Sequence, residues 1–265
     1  MELVKQANQI NKIKDFDINN QLMIIAGPCA IESYDQMMEV SRLLVANKVR
    51  FLRAYPDKPR TSPYSFQGLG EKSHGIILAI KKQFPLLLIV SELLNFNDLS
   101  FFLENVDVIQ IGARNMQNFE LLKALGRVNK PLILKRGFGN TIEEWLMAAE
   151  YLIKYGNSQV ILCERGIRTF ETMTRNTLDI SSIPIIKQMT KLPIIADPSH
   201  ACGRSDLVKP LALASLAAGA DGLLLEVHPQ PSQSLSDKDQ ALNFDEFSRL
   251  LADIKDISQL MKKKI

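Results

Sequence analysis

The stretch from Thr141 to Arg165, TIEEWLMAAEYLIKYGNSQVILCER, holds one complete unit of the fold. Thr141 and Glu144 form the capping-box pattern T-x-x-E, which satisfies two of the orphan backbone donors at a helix start. The pattern predicts a helix over Thr141–Tyr155, stopped by Gly156, the residue type that most easily ends a helix. A short apolar run follows, Val160–Leu162, and then a charged pair, Glu164 and Arg165. An apolar run this short and this unbroken reads as a strand covered on both faces.

The same order recurs on either side of it. Further runs of this kind are Leu22–Ala26, Phe51–Ala54, Leu86–Val90, Val108–Ile111, Leu132–Leu134, Ile194–Ala196 and Leu223–Val227, making eight in all. Helical spacing is read over Asp35–Asn47, Gly75–Phe84, Asn118–Gly126, Asp206–Ala218 and Asp245–Met261. Strands alternating with helices predict an α/β fold, a single (β/α)8 barrel. An open doubly wound sheet is the rival, but no G-x-G-x-x-G follows the first run. Residues 1–20 are expected to form a small N-terminal extension or barrel plug, too short for a domain, and residues 21–265 the catalytic barrel.

The totals agree with one large globular domain. The chain has 265 residues, 46% hydrophobic and 23% charged, with a formal net charge of +3. That charge is too mild to argue for nucleic acid, and the run Lys262–Lys264 reads as a solvated end. Three cysteines, Cys29, Cys163 and Cys202, make no disulfide framework. No apolar stretch is long enough to span a bilayer, and the first residues lack the apolar core of a signal peptide. A cytoplasmic location is expected.

Groups capable of chemistry fall just after the apolar runs, the positions that ring the C-terminal mouth of a barrel. One subset is cationic: Arg53, Lys58, Arg60, Arg114, Lys135 and Arg165. Six positive charges around one opening repel one another unless anions bind, so ligands with more than one anionic group are expected. The competing reading pairs each arginine with a structural carboxylate such as Glu92 or Glu164. A second subset, Cys29, His200, Glu226 and Asp237, has the thiolate, imidazole and carboxylates that suit a divalent transition metal. Spacing alone leaves Cys29 open as a small buried hydrophobe and His200 as a hydrogen-bonded loop residue. Cys163 reads as strand core and Trp145 as packing.

Several longer strings resemble the 3-deoxy-D-arabino-heptulosonate 7-phosphate (DAHP) synthase family. They are AGPCAIES (26–33), KPRTS (58–62), QIGARNMQNFELL (110–122), LKRG (134–137), ILCERGIRTFE (161–171), DPSHACGR (197–204) and EVHPQPSQSLSD (226–237). The resemblance spans about residues 20–245 and implies an enzyme that condenses phosphoenolpyruvate with erythrose 4-phosphate, the first step of the shikimate pathway. Carried onto this sequence, it implies Cys29, His200, Glu226 and Asp237 as ligands of a divalent metal (Mn, Fe, Co or Zn) that activates the aldehyde. Arg53, Lys58, Arg114, Lys135 and Arg165 would hold phosphoenolpyruvate. Lys58, Arg60 and Thr61 would hold erythrose 4-phosphate. Lys135 and Glu164 are the candidates for proton handling beside Cys29 and His200.

The related 3-deoxy-D-manno-octulosonate 8-phosphate synthases share the barrel, but typically carry Asn-Arg where this chain has Pro59-Arg60. A barrel that binds anionic metabolites without catalysis is the alternative of a different class. RAYPDKPRT departs from the usual RGGAFKPRT of the best-fitting subgroup, and SDKDQ replaces SDGPQ after the last ligand. Assembly as a homodimer or homotetramer is expected. With no room for a fused sensor domain in these residues, weak or no inhibition by Phe, Tyr or Trp is expected, and a separate regulatory partner stays open.

Overall fold

Successive side chains of a strand point to opposite faces, so in a closed barrel every second residue must fill the interior. A computed structural model, which describes residues 1–7 and 10–264, has this arrangement. Residues 8, 9 and 265, which fall inside the expected extension and barrel ranges, lie outside the described residues. The chain runs through helix α1 (Glu2–Gln6) and a two-stranded antiparallel hairpin, β1 (Lys12–Ile13) and β2 (Phe16–Asp17). Eight parallel strands follow: β3 (Met23–Gly27), β4 (Phe51–Arg53), β5 (Leu88–Glu92), β6 (Val108–Ile111), β7 (Leu132–Lys135), β8 (Val160–Glu164), β9 (Ile194–Ala196) and β10 (Gly222–Glu226). They close in sequence order, β10 pairing with both β9 and β3.

These are the eight runs expected from the sequence, displaced by at most two residues at their ends. The helices around them are α2 (Tyr34–Ala46), α3 (His74–Gln83), α4 (Leu99–Asn105), α5 (Phe119–Leu125), α6 (Ile142–Lys154), α7 (Ser182–Met189), α8 (Pro198–Cys202), α9 (Ser205–Ala217) and α10 (Phe244–Leu260). The capping box at Thr141 and Glu144 is formed in both directions. Helices α4, α7 and α8 were not among the sequence expectations; each has only five to eight residues, too few to show a clear apolar stripe. None of the described helices is long and apolar enough to cross a membrane.

Two apolar cores result from the alternation. Ile24, Leu132, Leu134, Val160, Leu162, Leu223 and Leu225 face the helices. Met23, Ile25, Phe51, Leu88, Val90, Val108, Ile133, Ile161, Cys163, Ile195 and Leu224 fill the barrel. Ile10, Ile13, Phe16 and Ile18 of the N-terminal segment join this inner core, and Phe16 meets Phe51 edge to face at 4.8 Å. The hairpin thus closes the N-terminal end of the barrel with apolar side chains, leaving the C-terminal end open.

Candidate active site

The alternation that fills the barrel also selects what faces its mouth. Continuing each inward series to the strand end gives Gly27, Arg53, Glu92, Gln110, Lys135, Arg165, Asp197 and Glu226. Gly27 is required where it stands: a Cβ there would overlap the backbone oxygen of Arg53 and approach its Cβ to 3.1 Å. Without a side chain at 27, the Arg53 guanidinium, fully buried, lies across the barrel end. At Gly112, just beyond β6, a Cβ would overlap the carboxylate of Glu92.

Above this layer is a cavity of about 260 Å³. Cys29, Arg53, Lys58, Arg60, Thr61, Arg114, Lys135, Arg165, His200 and Asp237 all line it, together with Tyr55, Glu92, Phe138 and Arg175. The structure therefore brings together every cationic residue singled out from the sequence. Four of the six have a carboxylate nearby: Arg53 faces Glu226, Lys58 and Arg60 face Asp237, and Lys135 pairs with Asp197. Arg114 and Arg165 make no ion pair among the described residues. Arg165 instead donates to the backbone oxygens of His200 (2.7 Å) and Gly166 (3.3 Å). Arg53 has two buried nitrogens, Nε and Nη1, without a hydrogen-bond partner among the described residues.

Cys29, His200, Glu226 and Asp237 converge at one edge of the cavity, their ligand-type atoms all within 4.8 Å of one another. Cys29 Sγ lies 3.3 Å from Asp237 Oδ2. His200 Nε2 lies 3.8 Å from Glu226 Oε2. Arg53 Nη2 reaches into the cluster, 3.4 Å from Cys29 Sγ and 3.3 Å from His200 Nε2. Lys58 forms a close ion pair with Asp237, and Arg60 (3.7 Å) and Arg175 (3.5 Å) also approach that carboxylate. Burial pushes the Asp237 carboxyl up, but Lys58 and His200 outweigh it and hold the group below the usual carboxylate range. Asp237 sits in the left-handed region, φ 51°, a conformation that aspartate tolerates better than most residues.

Local structure fixes the imidazole. Asp197 caps α8 by accepting from the His200 backbone N–H at 3.0 Å, with Pro198 at the first helical position. Its carboxylate also accepts from His200 Nδ1, which orients Nε2 toward Glu226. Burial, partly opposed by Asp197, pulls the His200 pKa down to about 4. The ring is therefore neutral near pH 7, as a metal ligand requires. Lys135 Nζ donates to the same Asp197 at 2.5 Å, so one buried carboxylate links the lysine to the histidine.

The donor set fits a borderline divalent metal: one sulfur, one imidazole nitrogen oriented by a carboxylate, and carboxylate oxygens. Glu226 Oε1 is buried and has no hydrogen-bond partner among the described residues, although Arg53 lies at 3.8 Å. An orphaned buried carboxylate oxygen in such a cluster is what a cation would satisfy.

Glu164 is not brought to the mouth. On β8, Ile161 and Cys163 point inward, so 164 points outward toward the helices. Its carboxylate accepts from Arg136 (3.0 Å) and from the Gly166 backbone N–H (2.7 Å), with Ser182 Oγ at 3.4 Å. Arg136, also outward, pairs with Asp179 as well, at 2.8 Å. This buried group supports the barrel wall behind the pocket. Sequence reading passed over Asp197 as the shared acceptor, and over Phe138 and Arg175. Inward parity at the end of β9 marks Asp197; the other two lie on loops, where no periodicity marks them.

Comparison with known proteins agrees with this geometry. Residues 8–263 match the DAHP synthetase I family. A phospho-2-dehydro-3-deoxyheptonate aldolase of Thermotoga maritima is 50% identical over 247 residues, 93% of this chain and 73% of that protein. A crystal structure of the Thermotoga maritima DAHP synthase superposes with a TM-score of 0.91 at 49% identity, covering 96% of this chain and 74% of the other. A 2-dehydro-3-deoxyphosphooctonate aldolase of Xanthomonas campestris is 30% identical over 278 residues, 95% of this chain and 97% of that protein.

Proposed function

The chain belongs to the DAHP synthetase I family, and from that membership we propose that its barrel mouth joins phosphoenolpyruvate to erythrose 4-phosphate, giving DAHP and phosphate. The observation that carries the reading is the cavity itself: a cluster of S, N and O donors faces a wall of cations, of which Arg114 and Arg165 have no carboxylate partner among the described residues.

Arg53, Lys58, Arg114, Lys135 and Arg165 bind the phosphate and carboxylate of phosphoenolpyruvate. Guanidinium groups suit both anions because their donors match two oxygens at once. Lys58, Arg60 and Thr61, on the loop after β4, hold the phosphate end of erythrose 4-phosphate. Two anionic substrates are thereby fixed against each other, which turns a bimolecular encounter into a held geometry. Cys29, His200, Glu226 and Asp237 would hold a divalent transition metal, which would supply Lewis-acid polarisation of the aldehyde oxygen.

C3 of phosphoenolpyruvate then bonds to C1 of the aldehyde, water adds at C2, and phosphate leaves by C–O cleavage. Lys135 Nζ, hydrogen-bonded to Asp197 inside the pocket, is placed to give a proton to an oxygen that gains charge. Asp197, whose pKa is held well below the ordinary value by His200 and Lys135 against the effect of burial, stays ionised and keeps both groups oriented. Glu164 has no part in this scheme. We further propose a cytoplasmic homodimer or homotetramer, as the family resemblance implies.

The test is phosphate release by the purified, metal-loaded chain from phosphoenolpyruvate with each of two aldoses. Release with erythrose 4-phosphate but not arabinose 5-phosphate supports the reading. The opposite preference would transfer the chain to the octulosonate branch, and release with neither would leave an anion-binding barrel.

A further inference from the structure

Three guanidinium groups converge on the ring of Phe138. The Cζ atoms of Arg114, Arg165 and Arg168 lie 5.4, 4.7 and 5.2 Å from its centroid. Their lack of counter-charge sets them apart. Arg136, Arg175 and Arg204 each pair with a carboxylate, whereas Arg114, Arg165 and Arg168 have none within ion-pairing distance among the described residues. Arg165 is almost fully buried, and that burial, partly offset by Asp197, draws its pKa below the ordinary value. Three like charges gathered in this way repel one another, so something other than acid must hold them together.

Phe138 is itself firmly held. It lies in the turn after β7, where Gly137 N approaches Met116 Sδ at 3.1 Å and Arg136 Nε donates to the Asn140 backbone oxygen at 3.0 Å. At Gly137 the Asn140 side-chain amide occupies the space that a Cβ would take. The Phe138 backbone oxygen accepts from Arg168 N at 2.7 Å, which ties the loop after β8 to this turn. The half-buried ring lines the cavity beside Arg114 and Arg165.

An aromatic face attracts a cation through its quadrupole without neutralising it. A carboxylate in the same place would hold the arginines more strongly but would compete with an incoming anion. We propose that Phe138 is a positioning residue of the phosphoenolpyruvate site, a neutral platform that orients Arg114 and Arg165 while leaving their charge free for the substrate, and that recruits Arg168 as a third cation at the rim. This rests on the assignment of Arg114 and Arg165 to phosphoenolpyruvate.

The experiment compares Phe138→Leu with Phe138→Tyr in the full chain, measuring phosphoenolpyruvate Kd by calorimetry and, separately, KM and kcat. Loss of the ring should raise Kd and the phosphoenolpyruvate KM about tenfold with little change in kcat, the scale of partly desolvated cation–π contacts. The tyrosine variant, which keeps an aromatic face, should bind close to wild type. Melting is measured alongside, because a void or a general loosening would lower the thermal midpoint of the aliphatic variant together with its affinity, whereas loss of the platform weakens binding at an unchanged midpoint. If the leucine variant does not fold, Phe138→Met takes its place in the comparison with tyrosine. Unchanged affinity in the aliphatic variant, or a tyrosine variant as weak as the aliphatic one, overturns the proposal. A wild-type chain that binds phosphoenolpyruvate but turns over neither aldose would instead sink the reaction assignment, while the ratio of Kd values still judges Phe138.

Discussion

The two ends of this barrel are built from the same strands but treat charge in opposite ways. At the N-terminal end, acidic residues are matched. Asp107 pairs with Lys14 at 2.6 Å and accepts from Ile89 N; Asp221 pairs with Lys187 (2.8 Å) and Lys263 (2.9 Å) and accepts from Ile194 N; Asp15 pairs with Arg50 at 2.8 Å. The hairpin seals that end with Ile13, Phe16 and Ile18. At the C-terminal end, Arg53 keeps two buried nitrogens and Glu226 one buried oxygen without a hydrogen-bond partner among the described residues, and Arg114 and Arg165 line the cavity with no carboxylate paired to them there. Internal satisfaction at one end contributes stability. Incomplete satisfaction at the other is affinity held in reserve for anions and a cation.

The contrast is broken most severely by Cys29→Ala. Activity should fall by more than about a thousandfold and bound metal should be lost, while the thermal midpoint of the metal-free chain hardly moves. Metal content, kinetics and melting measured together check this; full activity in the variant would remove Cys29 from the ligand set. Phe16→Ala acts at the opposite end. Removing the ring that meets Phe51 should cost about 3–5 kcal/mol of stability and leave the KM for either substrate in place. Denaturant unfolding alongside kinetics would show whether the ends are as separable as their construction suggests.

The smallest effect is expected from Asp221→Asn, about 1–3 kcal/mol at neutral pH, again without kinetic consequence. Burial pushes the Asp221 carboxyl up, but Lys187 and Lys263 outweigh it and hold the pKa below the usual value. A lowered folded-state pKa means that this stabilisation is complete above the unfolded pKa, about 4, and is lost as pH falls through the folded value. Wild type and variant should therefore converge in stability as the medium is acidified below that point. A difference that stays constant down to the acid limit would show that the Asp221 charge contributes nothing.

Much of this was legible before any coordinates. The eight strands were readable because a strand covered on both faces leaves a short unbroken apolar run, as in VIL at 160–162. The cations of the mouth were readable because barrel loops concentrate them after those runs. Glu164 shows where parity matters: in VILCER, Ile161, Cys163 and Arg165 share the inner face, and Glu164, although it stands at the strand end, does not. The convergence on Phe138 depends on three neighbouring loops, those after β6, β7 and β8, coming together at the mouth, and no local pattern encodes that. The close approach of Cys29 and Asp237 was reached through family resemblance, since residues so far apart carry no spacing signal.

Glu32 accepts from Ser234 Oγ (3.1 Å) and from Leu235 N (3.0 Å), stitching the segment after the first barrel strand to the one that delivers Asp237. Cys29 and Asp237 therefore stand on either side of the seam where β3 meets β10. A protein with all eight strands joined through seven junctions and that last one still open would own every coordinating side chain and yet no coordination sphere. The thiolate-to-metal absorption of a cobalt-loaded sample would then serve as an optical gauge of ring closure during refolding, appearing only once the circle is shut.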